Sequence, residues 1–134
     1  MPAERELAEE NIDALSIKVS GPDQLIGQLS GGNQQKVMLG RSLAPGGRLL
    51  LLNEPTRGVD IGAKAEIHQL INNLTANGAA VLMVSSDLPE LVGLSDRVVV
   101  LAQGKIVGRL EGETLTDQNV IACATTGERI GIAA

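Results

Sequence analysis

The sequence contains no phenylalanine, tyrosine or tryptophan, so any core must be built from aliphatic side chains. Hydrophobic residues nevertheless make up 43% of the 134 residues, which is enough for one domain with an interior of Leu, Ile, Val, Ala and Met. Aromatic side chains usually supply the largest contacts of a core. We therefore expect a core with many small contacts and no large anchors.

Cysteine is scarce, and basic residues are outnumbered by acidic ones. The single cysteine, Cys123, excludes an internal disulfide and is expected as a small buried residue on a helix in a reducing compartment. A formal net charge of −5 argues against nucleic-acid binding.

The first residues are polar and acidic, unlike a signal peptide. No apolar run approaches the ~18 residues that span a membrane, so any membrane link is expected to pass through a partner.

Alternating helical and apolar segments predict an α/β fold. Two apolar runs, residues 49–52 and 79–84, predict strands buried on both faces, as in a parallel sheet. The segment RVVVLAQGKIVGRL predicts a hairpin that turns at Gln103 and Gly104. The sequence pattern and its breaks predict helices over residues 3–15, 33–43, 61–77, 87–93 and 116–125, with a turn at PGGR, residues 45–48.

The first candidate site is LSGGNQQKV, residues 29–37. Gly31 and Gly32 let backbone N–H groups approach a ligand, and the helix that follows presents unpaired N–H groups with partial positive charge. Ser30 adds a hydroxyl donor. An ordinary turn with a serine cap would explain Ser-Gly-Gly alone, whereas the full run, including Gln34, favours an anion site.

The second candidate site is LLLLNEPTRGVD, residues 49–60. Polar residues at the carboxyl end of a parallel strand lie where α/β folds place ligands. Glu54 can there orient an attacking water or accept its proton. Asn53 stands where phosphoryl-transfer enzymes usually have an aspartate for Mg²⁺, and its amide offers an oxygen without a charge. A strand-to-loop turn is the alternative for Asn-Glu-Pro taken alone.

In this order and spacing, the two runs resemble the signature motif and the Walker B strand, glutamate and D-loop of ATP-binding cassette (ABC) ATPases. More narrowly, GGNQQKV and EPTRGVDIGAK resemble the second cassette of bacterial sugar-importer ATPases of the ribose, galactose and xylose kind. VSSDLPELVGLSDRVVVLAQGKIVGRL and TDQNVIACATTG are similar to the family's switch region, hairpin and closing helix. The resemblance covers nearly the whole chain and is weakest over residues 1–20.

This resemblance implies an incomplete three-layer, P-loop NTPase-like α/β fold, with a mostly parallel sheet, a C-terminal hairpin and a closing helix. Its implied parts are the end of a helical subdomain at about 1–45, the signature at 29–37, Walker B and the D-loop at 49–60, and the C-terminal part of the core over 61–134. The nucleotide-binding residues that it implies are Ser30, Gly31, Gly32, Gln34 and Asp60, the last in the D-loop at a cassette interface. Asn53 would lie at the Mg²⁺ site, and Glu54 would be the catalytic carboxylate.

Three departures from the family pattern matter. Asn53 replaces the Walker B aspartate, and Ser86 stands at the switch-histidine position, where the second cassette of sugar importers commonly has serine. No G-x-x-x-x-G-K-[ST] run occurs, so the phosphate-cradling loop is missing from this sequence. We interpret the chain as a C-terminal fragment, and we expect ATP and Mg²⁺ only with a P-loop-bearing partner segment.

The function implied by the resemblance is that of an ATPase subunit that drives sugar uptake. Its implied partners are a facing cassette, membrane permease subunits and, indirectly, a periplasmic sugar-binding protein, with the ATPase at the cytoplasmic face of the membrane. One alternative is the C-terminal lobe of a chromosome-maintenance or DNA-repair ATPase, in which the P-loop lies on a separate lobe. The acidic balance and the lack of coiled-coil heptads before Leu29 argue against it. A non-catalytic remnant is the other alternative.

Overall fold

The structure is a computed structural model that describes residues 2–43, 48–127 and 130–131. It forms two compact units, Met1–Val84 and Ser85–Ala134, which are described separately. Both candidate sites lie in the first unit.

The described residues of the first unit form three helices and two strands. They are α1 (Pro2–Ala14), α2 (Gly31–Leu43), β1 (Leu49–Asn53), α3 (Ile61–Ala76) and β2 (Ala80–Val84), with a short 3-10 turn at Ile26–Gln28. The two strands pair in parallel, with Leu49 opposite Ala80 and Asn53 opposite Val84. This confirms the predicted helices and the strand–helix–strand order, whereas most of the turn predicted at 45–48 lies outside the described residues.

Local sequence explains why α3 begins and ends where it does. The Asp60 carboxylate accepts a hydrogen bond from the Ala63 N–H at 2.9 Å and so caps the helix. Ile67 and Ile71, one turn apart, are 0% and 2% exposed, so the predicted apolar stripe faces the interior. The helix ends before Gly78, which adopts φ +89°.

The prediction that both strands are buried on both faces was wrong. Leu50 and Leu52 are buried, but the large apolar side chains at the alternate positions of β1 and β2 are 61–69% exposed. Because side chains alternate across a strand and the register is parallel, these exposed residues share one face. We call this the open sheet face, formed by Leu49, Leu51, Leu82 and Val84. A continuous apolar run is compatible with a strand that is buried on one face or on both faces. The run alone therefore does not determine how many faces of the strand are buried.

In the second unit, the residues that the structure describes form a hairpin packed with two helices. Its elements are α4 (Leu88–Leu94), β3 (Arg97–Ala102), β4 (Lys105–Glu111) and α5 (Asp117–Thr126), with a short 3-10 turn at Gly112–Thr114. The hairpin turns at Gln103 and Gly104, which have φ of 50° and 74°, as predicted. Thr116 caps α5 by accepting a hydrogen bond from the Asn119 N–H.

The core of the second unit is aliphatic, as the composition requires. It consists of Val98, Val100, Leu110, Val120 and Cys123. Cys123 is fully buried on α5, which confirms the expectation for the single cysteine. Within the described residues, we find no helix that combines the length and the apolar character needed to cross a bilayer.

Candidate functional site

The first candidate site lies at the N-terminus of α2. The helix begins at Gly31, two residues earlier than predicted, so both glycines lie in its first turn. The first N–H groups of a helix have no acceptor within the helix, so this end offers donors to an anion. The Ser30 hydroxyl accepts a hydrogen bond from the Asn33 amide at 2.8 Å, which leaves its own hydrogen able to donate.

Two amide side chains fix the loop before this helix. The Gln34 side chain donates to the Leu29 carbonyl at 2.9 Å, and the Asn33 side-chain oxygen accepts from the Lys18 N–H at 2.9 Å. Gln34 therefore holds the loop in place, and its contact with nucleotide stays a prediction. The role of Asn33 was not predicted from the sequence, because its contact with Lys18 joins residues 15 positions apart.

Close glycine contacts bring the N-terminus of α2 against the loop that leads into α3. A Cβ at Gly31 would lie 3.3 Å from the Gly58 carbonyl oxygen, and a Cβ at Gly32 would overlap the Cβ of Ala63. Only glycine fits at position 32 at this helix separation. The predicted signature and the predicted D-loop, residues 58–60, are thus brought together within one unit.

Replacing Gly32 with alanine should therefore separate the two helices. We expect Gly32→Ala to lower the free energy of unfolding by about 1–3 kcal/mol, because the new methyl group overpacks the contact. Urea unfolding measures the effect, and Gly93→Ala is the matched control, since the helical Gly93 has no atom within 4 Å of the added Cβ. If Gly32→Ala is as stable as Gly93→Ala, the two helices are not packed this closely in solution.

The second candidate site lies at the carboxyl end of β1. Glu54 follows the strand directly and is half-buried, with φ of +49°, a conformation that is uncommon outside glycine. Its N–H donates to the Val84 carbonyl at 2.8 Å, and its carbonyl accepts from the Arg57 N–H at 3.1 Å. The backbone of Glu54 is therefore held on both sides, so the strained geometry is fixed by its surroundings.

The residues around Asn53 do not form a magnesium site on their own. Asn53 is exposed at the last position of β1, where only Glu54 provides a neighbouring carboxylate in sequence. In the part of the chain that the structure describes, no group of three His, Cys, Asp or Glu residues could hold a metal ion. The role of Asn53 at a Mg²⁺ site therefore stays a prediction, and such a site would need further ligands.

Two other predicted positions lie at or next to a helix cap. Asp60 caps α3, so one of its carboxylate oxygens is already bound to the Ala63 N–H. Ser86 is exposed in the second unit, just before Asp87, whose carboxylate accepts from the Glu90 N–H and caps α4. The nucleotide contact of Asp60 and the domain boundaries at about 45 and 61 stay predictions.

One charged residue of the signature run was not recognised from the sequence. Lys36, on α2, is 3% exposed, and its ammonium group lies 2.7 Å from a carboxylate oxygen of Glu66 on α3. No local pattern marks this burial, because it depends on how closely α2 and α3 approach each other.

Similar proteins include several that are named for sugar import. The chain is 51% identical over 121 residues to the xylose import ATP-binding protein XylG of Moorella thermoacetica, covering 90% of this chain and 24% of that protein. It is 55% identical over 119 residues to the ribose import ATP-binding protein RbsA 2 of Streptomyces coelicolor, covering 89% and 23%. The chain thus spans about a quarter of the length of the curated relatives that it matches.

Solved structures with the same fold are ATP-binding cassettes. A nucleotide-free ATP-binding cassette from an ABC transporter gives a TM-score of 0.77 at 26% identity, covering 87% of this chain and 46% of that one. The ADP conformation of MJ1267, also an ATP-binding cassette of an ABC transporter, gives 0.74 at 27% identity, covering 87% and 45%. No family model matches the chain. The likeness to these cassettes confirms the predicted α/β fold. The chain contains part of that fold, since it covers 45–46% of the two solved cassettes.

Proposed function

Because the chain belongs to the sugar-import ATP-binding proteins of the ABC type, we propose that it supplies the signature, Walker B and D-loop parts of a cassette that hydrolyses ATP to drive sugar uptake. One observation carries this proposal. The glycines of the signature pack against Gly58 and Ala63, so the donor end of α2 and the D-loop form one continuous surface. A facing cassette that holds ATP on its own P-loop would meet both at once.

The chain's own residues support a division of roles. The Ser30 hydroxyl and the first N–H groups of α2 would bind the terminal phosphate of the ATP, which the positive end of the 13-residue helix favours. Glu54 would accept the proton of the attacking water, from a backbone position fixed by Val84 and Arg57. Mg²⁺ would neutralise the phosphate charge, and Asn53 alone contributes no charge to hold it.

The proposed partners follow from the same family. They are a facing cassette, membrane permease subunits and, through them, a periplasmic sugar-binding protein, with the ATPase at the cytoplasmic face of the membrane. The names of the relatives, which are import ATP-binding proteins, support these partners. They also favour the importer over a chromosome-maintenance or DNA-repair ATPase.

The test is a cassette in which residues 1–134 are joined to a P-loop-bearing segment. We expect this cassette to hydrolyse ATP when Mg²⁺ is present, and we expect Asn53→Asp to raise turnover roughly 3–10-fold, since it restores a charge beside the cation. Residues 1–134 alone should show no turnover and should bind ATP no more tightly than on the order of 1 mM, because a P-loop and its lysine supply most of the affinity. Phosphate release measures the turnover, and calorimetry measures the ATP affinity.

Asn72→Asp is the matched control for this substitution, because it adds the same charge at an exposed position of α3. It should leave turnover within about twofold of the parent, as a distant exposed charge is screened by salt. Micromolar ATP binding by residues 1–134 alone would contradict the proposal. A cassette that hydrolyses no ATP, both with Asn53 in place and after the Asn53→Asp substitution, would contradict it as well.

A further inference from the structure

Lys36 is a buried charge that the proposed chemistry does not use. It is 3% exposed in the middle of α2, and removing an ammonium group from water is unfavourable unless the group is well paired. Its ammonium group donates to the Ser16 carbonyl at 3.0 Å and lies 2.7 Å from the Glu66 carboxylate. Both contacts are charge-assisted, and together they connect α2 to the turn that follows α1 and to α3.

The ion pair lies one helical turn beyond the close glycine contact. Lys36 follows Gly32 by four residues on α2, and Glu66 follows Ala63 by three residues on α3, so the two contacts lie along the same helix–helix interface. A single contact point would allow the helices to rotate about it. Two contacts, one turn apart, fix both their separation and their angle.

We propose that Lys36 is a positioning residue, which locks the signature end of α2 onto the N-terminal end of α3 so that signature and D-loop meet a facing cassette as one rigid surface. This inference rests on the proposed function for its consequence in ATP hydrolysis. The lock itself is a property of the chain alone, carried by the contacts of Lys36 with Ser16 and Glu66.

A purely stabilising role makes a different prediction. Buried ion pairs are weak evidence for stability, and their replacement by apolar groups of similar volume is often neutral or favourable. Lys36→Met keeps the length of the buried chain and removes the charge and both contacts. If Lys36 positions the two helices, their ends loosen in this variant even where its overall stability is close to that of the parent.

Hydrogen exchange of three backbone amides tests the lock in residues 1–134. The amides of Gln34 and Lys64 donate to Ser30 and Asp60 and make the first hydrogen bonds of α2 and α3, while the amide of Ala80 donates to Arg48 in the sheet of the same unit. In Lys36→Met we expect exchange at Gln34 and Lys64 to rise together by at least about tenfold. Exchange at Ala80 should stay within about twofold, since the unit as a whole remains folded.

Two further variants keep the test decisive. Lys36→Arg retains the charge and the donors, so exchange at both amides should stay within about threefold of the parent. Glu66→Gln removes the charge that pairs with Lys36. Because the Glu66 side chain is 49% exposed, this variant folds even where Lys36→Met does not. It should raise the exchange rates at the same two amides. Unchanged exchange in both Lys36→Met and Glu66→Gln overturns the proposal, as does an equal rise at Ala80.

The pH dependence of the lock follows from Glu66. A hydrogen bond from Lys36, followed by the charges of Lys36 and Lys18, lowers the pKa of Glu66, while nearby Asp60 opposes this effect. Because the pKa is lower in the folded state, the ion pair is fully present above the ordinary glutamate pKa and is lost as the pH falls through the lowered, folded-state pKa. Exchange at Gln34 in the parent should therefore approach that of Glu66→Gln only in acid.

Activity separates this inference from the proposed function. In the cassette joined to a P-loop, Lys36→Met should lower kcat at least about tenfold with the KM for ATP unchanged, because the P-loop holds the nucleotide and the signature acts on the closed state. Lys36→Arg should retain kcat. A parent cassette without ATPase activity overturns the proposed function, whereas the exchange rates at Gln34 and Lys64 still decide the lock.

Discussion

Replacing Glu54 with glutamine is expected to lower ATP hydrolysis by about 100–10,000-fold in a cassette that joins residues 1–134 to a P-loop, while ATP binding is unchanged. The amide keeps the size of the carboxylate but cannot accept the proton of the attacking water. The backbone bonds of Glu54 to Val84 and Arg57 are independent of the side chain, so the positive φ of this position is retained. Single-turnover hydrolysis and equilibrium ATP binding, measured on the same variant, separate the two effects.

Glu6→Gln is the matched control, because Glu6 is exposed on α1 and the substitution removes the same charge. We expect the ATP turnover of Glu6→Gln to lie within about twofold of the parent. The free energies of unfolding of Glu6→Gln and Glu54→Gln should each differ from that of the parent by less than about 0.5 kcal/mol. If Glu54→Gln hydrolyses ATP at the parental rate, Glu54 is not the general base. A loss of ATP binding would instead assign Glu54 to the nucleotide site.

We expect residues 1–134 alone to self-associate at micromolar concentration through the open sheet face. Leu51 and Leu82 are neighbours in the parallel register and are 69% and 63% exposed, with Leu49 and Val84 beside them. Covering these four side chains is worth on the order of 5 kcal/mol, which favours contact with another chain. Sedimentation velocity should show dimers or larger species, and a clean monomer would contradict the prediction.

One lysine on each strand should reverse this association. In the double variant Leu51→Lys with Leu82→Lys, we expect association to weaken at least about tenfold, because pairing would bury two charges. The control carries Leu25→Lys and Ile121→Lys, which replace exposed apolar residues outside the open sheet face, 69% and 49% exposed respectively. Equal weakening in both double variants would show that net charge, rather than this face, controls the association.

The helices and turns were predictable because their signals are local. Asp60 and Thr116 cap the helices that follow them, and the apolar residues of α3 recur at helical spacing, which places Ile67 and Ile71 in the interior. Gln103 and Gly104 stand at the hairpin turn that the alternating strands predict. The order of the signature run and the Walker B run also sufficed to identify the fold, which the similar cassettes confirm.

The chain's own sequence thus determined which segments are helix, strand and turn, and which family they come from. Only the tertiary structure decided which surfaces are covered: one face of β1 and β2 is open although the run 49–52 is wholly apolar. It also decided that Lys36 is buried and that Gly32 meets Ala63, because both depend on how closely α2 and α3 approach. Hydrogen-bond caps and side-chain periodicity act over a few residues, whereas burial and helix separation depend on neighbours distant in the chain, which no local pattern specifies.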